Sequence, residues 1–130
     1  MAIWYKGVFA KRHDKGEKTV VVDFDGTICE DGKFPGFGKP MPGAKEALTR
    51  LRDAGLEVVI LSCRIDPTSK SMDRQKSEME KWLKDNGIPY ARIDEGTEGK
   101  LHGLCYIDNK AWRYKGGDDW DRICSRILGE

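Results

Sequence analysis

The chain has 130 residues, 35% of them charged and 38% apolar, with a net charge of +1. That balance suits a soluble globular protein of one domain with a core of its own, and it singles out no strongly charged partner. No apolar run approaches the ~20 residues of a spanning helix, and the start MAIWYKGVFAKR lacks a signal-peptide pattern, so the expected location is the cytoplasm.

Residues 1–17 read as an extension of a core spanning 18–130, the whole forming one domain over 1–130. IWYKGVFA (3–10) has the composition of an additional N-terminal strand, paired back on KTVVVDF (18–24) through the turn-rich HDKGE. Residues 6–18 carry five basic side chains against two acids. They read as a solvated turn or as a basic face for nucleic acid centred on Lys11 and Arg12. Residues 29–42, CEDGKFPGFGKPMP, are rich in Gly and Pro and predict a loop.

Ala44, Ala47, Leu48 and Leu51 recur at helical spacing after Pro42-Gly43, and Gly55 stands where a helix stop belongs. LEVVILS (56–62) is a continuous apolar run, the pattern of a buried parallel strand. A second helix is expected over 69–86, with Met72, Met79, Trp82 and Leu83 inward. Short strands follow at 90–93 and 104–107, then a closing helix with Trp120, Ile123 and Ile127 on one side. The alternation predicts an α/β fold with a mostly parallel central sheet. The four cysteines (29, 63, 105, 124) show no metal-ligand spacing with His13 or His102 and read as free thiols.

The stretch VVVDFDGTI (20–28) ends an apolar strand with two carboxylates two residues apart, on one side of an extended chain. Such a pair should repel and raise at least one pKa unless a cation sits nearby. In an open parallel sheet a site lies outside the carboxyl ends of the strands. Asp23, Asp25, Ser62 and Asp108 are expected to meet at that edge, with Lys100 from the loop EGTEGKLHG within reach and Lys110 as the other choice of lysine. Three carboxylates, a hydroxyl and a lysine suit a phosphoryl group accompanied by Mg²⁺.

DFDGTI, ILSCR, Lys100 and YIDNKA, in that order, resemble the four motifs of the haloacid dehalogenase superfamily of phosphotransferases, over the chain from residue 18 onward. The resemblance implies a three-layer, Rossmann-like sandwich and a Mg²⁺-dependent phosphohydrolase. It makes Asp23 the nucleophile that forms an aspartyl-phosphate and Asp25 the general acid and base, oriented by Thr27 beside the phosphate. Ser62 and Lys100 would bind the phosphate, and Asp23, Asp108 and the main-chain carbonyl of Asp25 would hold Mg²⁺. Asn109 stands where the family carries a second acidic residue, so weaker Mg²⁺ binding is expected. Arg64 would meet a substrate anion or pair with Asp66.

No segment is long enough for the family's cap domain, which implies an open site for a large phosphorylated substrate, or one covered by a second copy in a homo-oligomer. A 3′-phosphatase for nucleic acid ends is one such activity. A catalytically weak binding protein, and a receiver-type phosphoacceptor module, are the alternative readings. Phe34, Phe37 and Trp112 border the cleft or pack.

Overall fold

The computed structural model describes residue 7, residues 9–14 and residues 17–130. Most of the expected N-terminal strand therefore lies outside the described residues. Its last position, Ala10, begins a short helix, α1 (Ala10–Asp14). The order continues β1 (Thr19–Asp23), α2 (Ala44–Asp53), β2 (Glu57–Leu61), α3 (Met72–Asp85), β3 (Arg92–Ile93), β4 (Cys105–Ile107) and α4 (Asp119–Leu128).

The four strands form one all-parallel sheet in the order β3-β2-β1-β4. This is an α/β, Rossmann-like fold, as the alternation of elements predicts. β1 lies in the interior, with Asp23 opposite Leu61 of β2 and Val22 opposite Ile107 of β4. The carboxyl ends of these three strands thus stand side by side, carrying their following residues to one edge.

Strand alternation sorts the core. Val20, Val22, Val58, Ile60 and Ile93 join Leu48 of α2 and Met79 and Leu83 of α3 in one buried cluster. Val21 and Val59, on the opposite face, pack with Leu101 from the loop before β4. Fully burying each such aliphatic side chain contributes about 1.5–3 kcal/mol.

Both helix stops follow the sequence. After α2, the N–H of Gly55 donates to Arg52 O and that of Leu56 to Leu51 O; after α3, Gly87 donates to Lys84 O and Ile88 to Leu83 O. Gly55 and Gly87 have φ of 87° and 65°, the left-handed conformation that this two-bond helix stop requires.

α4 departs from expectation. Its buried residues are Asp119 and Ile123, while Trp120 and Ile127 are exposed. The buried stripe therefore passes one residue to the side of Trp120 and ends a turn before Ile127. Among the described residues no helix is long and apolar enough to cross a membrane.

Candidate active site

Phe24 is fully buried in the core, which turns its neighbours Asp23 and Asp25 toward the carboxyl edge. The chain then makes a tight reversal: Ile28 and Cys29 donate backbone N–H bonds to Phe24 O, and Gly26 donates to Cys29 O. Gly26 has φ 83°, and an added Cβ would lie 2.8 Å from Cγ of Asn109. Gly26→Ala is expected to destabilise the fold by ~1–3 kcal/mol, from left-handed strain and displacement of Asn109. Urea denaturation checks it; a loss within experimental error would mean that the turn relaxes freely.

Residues 29–42 form the expected loop, and its ends are stitched together: Glu30 donates to Lys39 O and Met41 to Ile28 O. Phe37 packs inward, edge-on to Phe24 and stacked on Trp82, whose Nε1 donates to Gly38 O. Phe34 stays exposed and lines the site.

The cation beside the acidic pair is Arg64. Its Nε donates to Asp25 Oδ2 at 2.8 Å and its Nη2 to Asp25 Oδ1 at 2.7 Å, a bidentate pair. The remaining donors reach Pro35 O at 3.0 Å and Gly36 O at 2.7 Å, and the guanidinium lies over Phe37 with 4.4 Å to the ring centroid. Only 4% of Arg64 is exposed. This corrects the expected pair with Asp66, which bonds instead to the N–H and hydroxyl of Thr68. Arg64 still lines the cavity described next, with its guanidinium engaged by Asp25 and two carbonyls.

A cavity of about 570 Å³ opens above β1, lined by Asp23, Asp25, Asp31, Gly32, Phe34, Cys63, Arg64, Asp108 and Lys110. A smaller one of about 320 Å³ on the far side shares Asp23, Cys63 and Asp108 and adds Ser62, Leu61 and Tyr106. Burial pushes the Asp23 carboxyl above its ordinary 3.8; the Asp108 and Asp25 charges push the same way, against the Phe24 N–H and Lys110. Burial, rather than repulsion between Asp23 and Asp25, is the larger cause of this rise.

The structure brings Asp23, Asp25 and Asp108 to one cavity and places Ser62 beside it, buried, with its Oγ accepting from the Arg64 N–H at 3.1 Å. It does not bring Lys100 into either lining: that ammonium lies over the Tyr106 ring, 5.8 Å from its centroid. Lys110 occupies the cavity wall instead, because the turn after β4, closed by Lys110 N–H to Asp108 Oδ1 at 2.7 Å, folds it back over the edge.

Thr27 Oγ1 is buried without a hydrogen-bond partner, so the hydroxyl makes no bond to Asp25. Trp112 and His102 line neither cavity, whereas Cys63, one of the free thiols, lines both. Alkylation by iodoacetamide is therefore expected to block the site in the native protein and to spare Cys63→Ser; equal loss in both would place the effect at another thiol.

Among the described residues no three Asp, Glu, His or Cys side chains could hold a metal ion together. With Asp25 paired to Arg64 and Asp31 accepting the Gly32 N–H on its loop, the carboxylates of the cavity wall that stand at strand ends are Asp23 and Asp108. That set suits Mg²⁺, which commonly takes one or two carboxylates and completes its shell with water and phosphate oxygens.

No family model matches the chain, and no curated protein does. Among solved structures, a conserved protein from Bacteroides thetaiotaomicron matches with 27% identity and a TM-score of 0.54, over 85% of this chain and 89% of that one. The two chains share a fold. A D,D-heptose 1,7-bisphosphate phosphatase from B. bronchiseptica, crystallised with magnesium and phosphate, matches with 18% identity and a TM-score of 0.42, over 87% of this chain and 64% of that one.

Proposed function

We propose that the chain is a phosphomonoester hydrolase of the haloacid dehalogenase type that works through an aspartyl-phosphate on Asp23. The observation that carries this reading is the placement of Asp23 on the wall of an open cavity, between Asp108 and the Asp25–Arg64 pair, with Lys110 beside it.

In the first step an Asp23 carboxylate oxygen attacks phosphorus, the ester P–O bond breaks, and the leaving oxygen takes a proton from Asp25. In the second, water gives a proton to Asp25 and attacks phosphorus, releasing inorganic phosphate and regenerating Asp23. Arg64 uses one acceptor site on each Asp25 oxygen, leaving others for the travelling proton. It thereby fixes the direction in which Asp25 works, the positioning that the sequence reading gave to Thr27.

Asp23, Asp108, the Asp25 main-chain carbonyl and Asn109 would hold Mg²⁺, which neutralises phosphoryl charge when bound. Lys110 supplies the protein's own positive charge on the cavity wall, and Ser62 a hydroxyl at the strand end.

The test is steady-state hydrolysis of an aryl phosphate, with and without Mg²⁺, by the wild type, Lys110→Ala and Lys100→Ala. Lys110→Ala should lower kcat/KM by roughly 10²–10³-fold, the scale seen on removing one preorganised charge-stabilising donor, and Lys100→Ala by far less. The opposite ranking would restore Lys100 as the phosphate lysine. Absence of turnover at any Mg²⁺ concentration would favour the binding-protein reading, which the neutral Asn109 already suggests.

A further inference from the structure

The segment after the site presents rings and cations together. Trp112, Tyr114 and Trp120 are 41%, 51% and 61% exposed. Isolated exposed aromatics need no explanation, but three within nine residues do. They are not loosely held. Asp119, itself buried, accepts the Lys115 N–H at 2.8 Å on Oδ2 and the Arg122 Nε–H at 2.7 Å on Oδ1. Arg122 in turn lies over Trp112, 5.2 Å from the ring centroid, and Tyr114 and Trp120 meet at 5.2 Å. One buried carboxylate thus ties the loop to α4 while the rings it supports face water.

Residues 110–122 carry Lys110, Arg113, Lys115 and Arg122 against Asp118, Asp119 and Asp121. Arg122 is held by the buried Asp119, and Arg113 lies over Phe9, 5.7 Å from its ring centroid, which leaves Lys110 and Lys115 as the cations beside the exposed rings. The segment begins inside the site, since Lys110 lines the cavity with Asp23. Chain geometry then keeps the Cα of Trp112 within about 7 Å of that of Lys110, and that of Tyr114 within about 14 Å. Ring faces alternating with cations are the means by which proteins hold single strands: bases stack on the rings while the cations follow the phosphates. The exposed Phe34 supplies a further ring on the cavity wall itself.

From these observations, and resting on the phosphohydrolase reading above, we infer that residues 110–122 form a stacking platform for single-stranded nucleic acid that leads its phosphorylated end into the cavity at Asp23. The basic N-terminal stretch does not take that role through Arg12. Its guanidinium donates to Leu104 O at 2.5 Å, to Gly103 O and to Glu17 at 2.6 Å. Gly103 and Leu104 precede β4, so these bonds lie at the opposite end of the sheet from the site.

The experiment is fluorescence anisotropy of a labelled single-stranded dodecamer carrying a 3′-phosphate, titrated with the full chain, alongside phosphate release from the dodecamer and from an aryl phosphate. Binding at 50 mM salt should weaken roughly 20-fold by 200 mM if three phosphates are contacted. Tyr114→Ala and Trp120→Ala should each weaken it about fivefold or more. Each should also lower kcat/KM for the dodecamer relative to the aryl phosphate. Lys115→Ala, whose exposed side chain makes no structural bond among the described residues, should reduce the salt slope by about 0.7.

No binding at 50 mM salt, or binding that none of these substitutions weakens, overturns the platform. So does sedimentation that finds a dimer which Trp120→Ala converts to monomers. Aryl phosphate turnover without dodecamer binding overturns the platform and leaves the phosphatase standing. Dodecamer binding without phosphate release from either substrate supports the platform and removes the phosphatase.

Discussion

Arg64→Ala is expected to destabilise the protein by about 3–5 kcal/mol, the scale for removing one partner of a buried ion pair. Against a total stability of about 5–15 kcal/mol for a chain of this kind, that is a large fraction. Three losses coincide. Asp25, whose side chain is 25% exposed, loses its bidentate partner. Pro35 O and Gly36 O lose their donor, which loosens the loop over the cavity. Phe24, Phe34 and Phe37, all within 5.5 Å of the guanidinium by ring centroid, lose the cation they surround. Partial exposure of Asp25 places the effect toward the lower end of the range.

Lysine cannot substitute, because a point charge does not reproduce the planar fork. Arg64→Lys should recover little of the loss, and turnover should fall with stability because Asp25 loses its orientation. Equilibrium urea unfolding gives the number, and a cycle with Asp25→Asn isolates the pair from the carbonyl and ring contacts. A change below ~1 kcal/mol for Arg64→Ala would mean that the pair is not held as described.

Asp23→Asn is expected to act in the opposite sense, abolishing turnover by at least ~10³-fold while raising the melting temperature. Burial makes the charged form of Asp23 unfavourable in the folded state, and the neighbouring carboxylates add to this. A carboxyl whose folded pKa is raised stabilises the fold fully only below its unfolded value, near 3.8, and loses that contribution as pH rises through the folded value. At neutral pH the aspartate is therefore a burden that asparagine lacks.

The gain in melting temperature should be largest at neutral pH and should close as pH falls below 4. Differential scanning calorimetry across that range tests it. A gain that persists unchanged at low pH would assign the effect to packing rather than charge. Added Mg²⁺ should narrow the difference by binding the folded wild type more tightly than the variant.

The two predictions bear on what was legible in the chain. The apolar run Val20–Val22, the spacing of Met79 and Leu83, and the glycines at 55 and 87 report local rules: strand burial, helical period, and the left-handed stop after a helix. Each was readable because neighbours in sequence are neighbours in space. The edge on which Asp23, Asp25 and Asp108 meet was also readable, since parallel strands with crossover connections carry their carboxyl ends to one side.

Other parts depended on how loops return. Arg64 and Asp25 are 39 positions apart, and their pairing is made by the path of the chain after β2 and of residues 35–36 above it. A surface partner two residues away, Asp66, is what sequence proximity offered instead. Lys100 and Lys110 flank the same strand at either end. The tight turn closed by Asp108 puts the second in the cavity, while the first settles over Tyr106 on the sheet's other face. Trp120 looked like core because its spacing to Ile123 and Ile127 is helical, but the buried stripe of α4 runs through Asp119 and Ile123.

By itself, then, the sequence determined the α/β class, the parallel sheet, the helix stops at Gly55 and Gly87 and the acidic edge, because period, propensity and strand direction are short-range properties of the chain. Only the tertiary structure decided which cation answers which carboxylate, and which aromatics face water. Those choices rest on the geometry of loops, where a few bonds between residues distant in the chain set the position of every charged end.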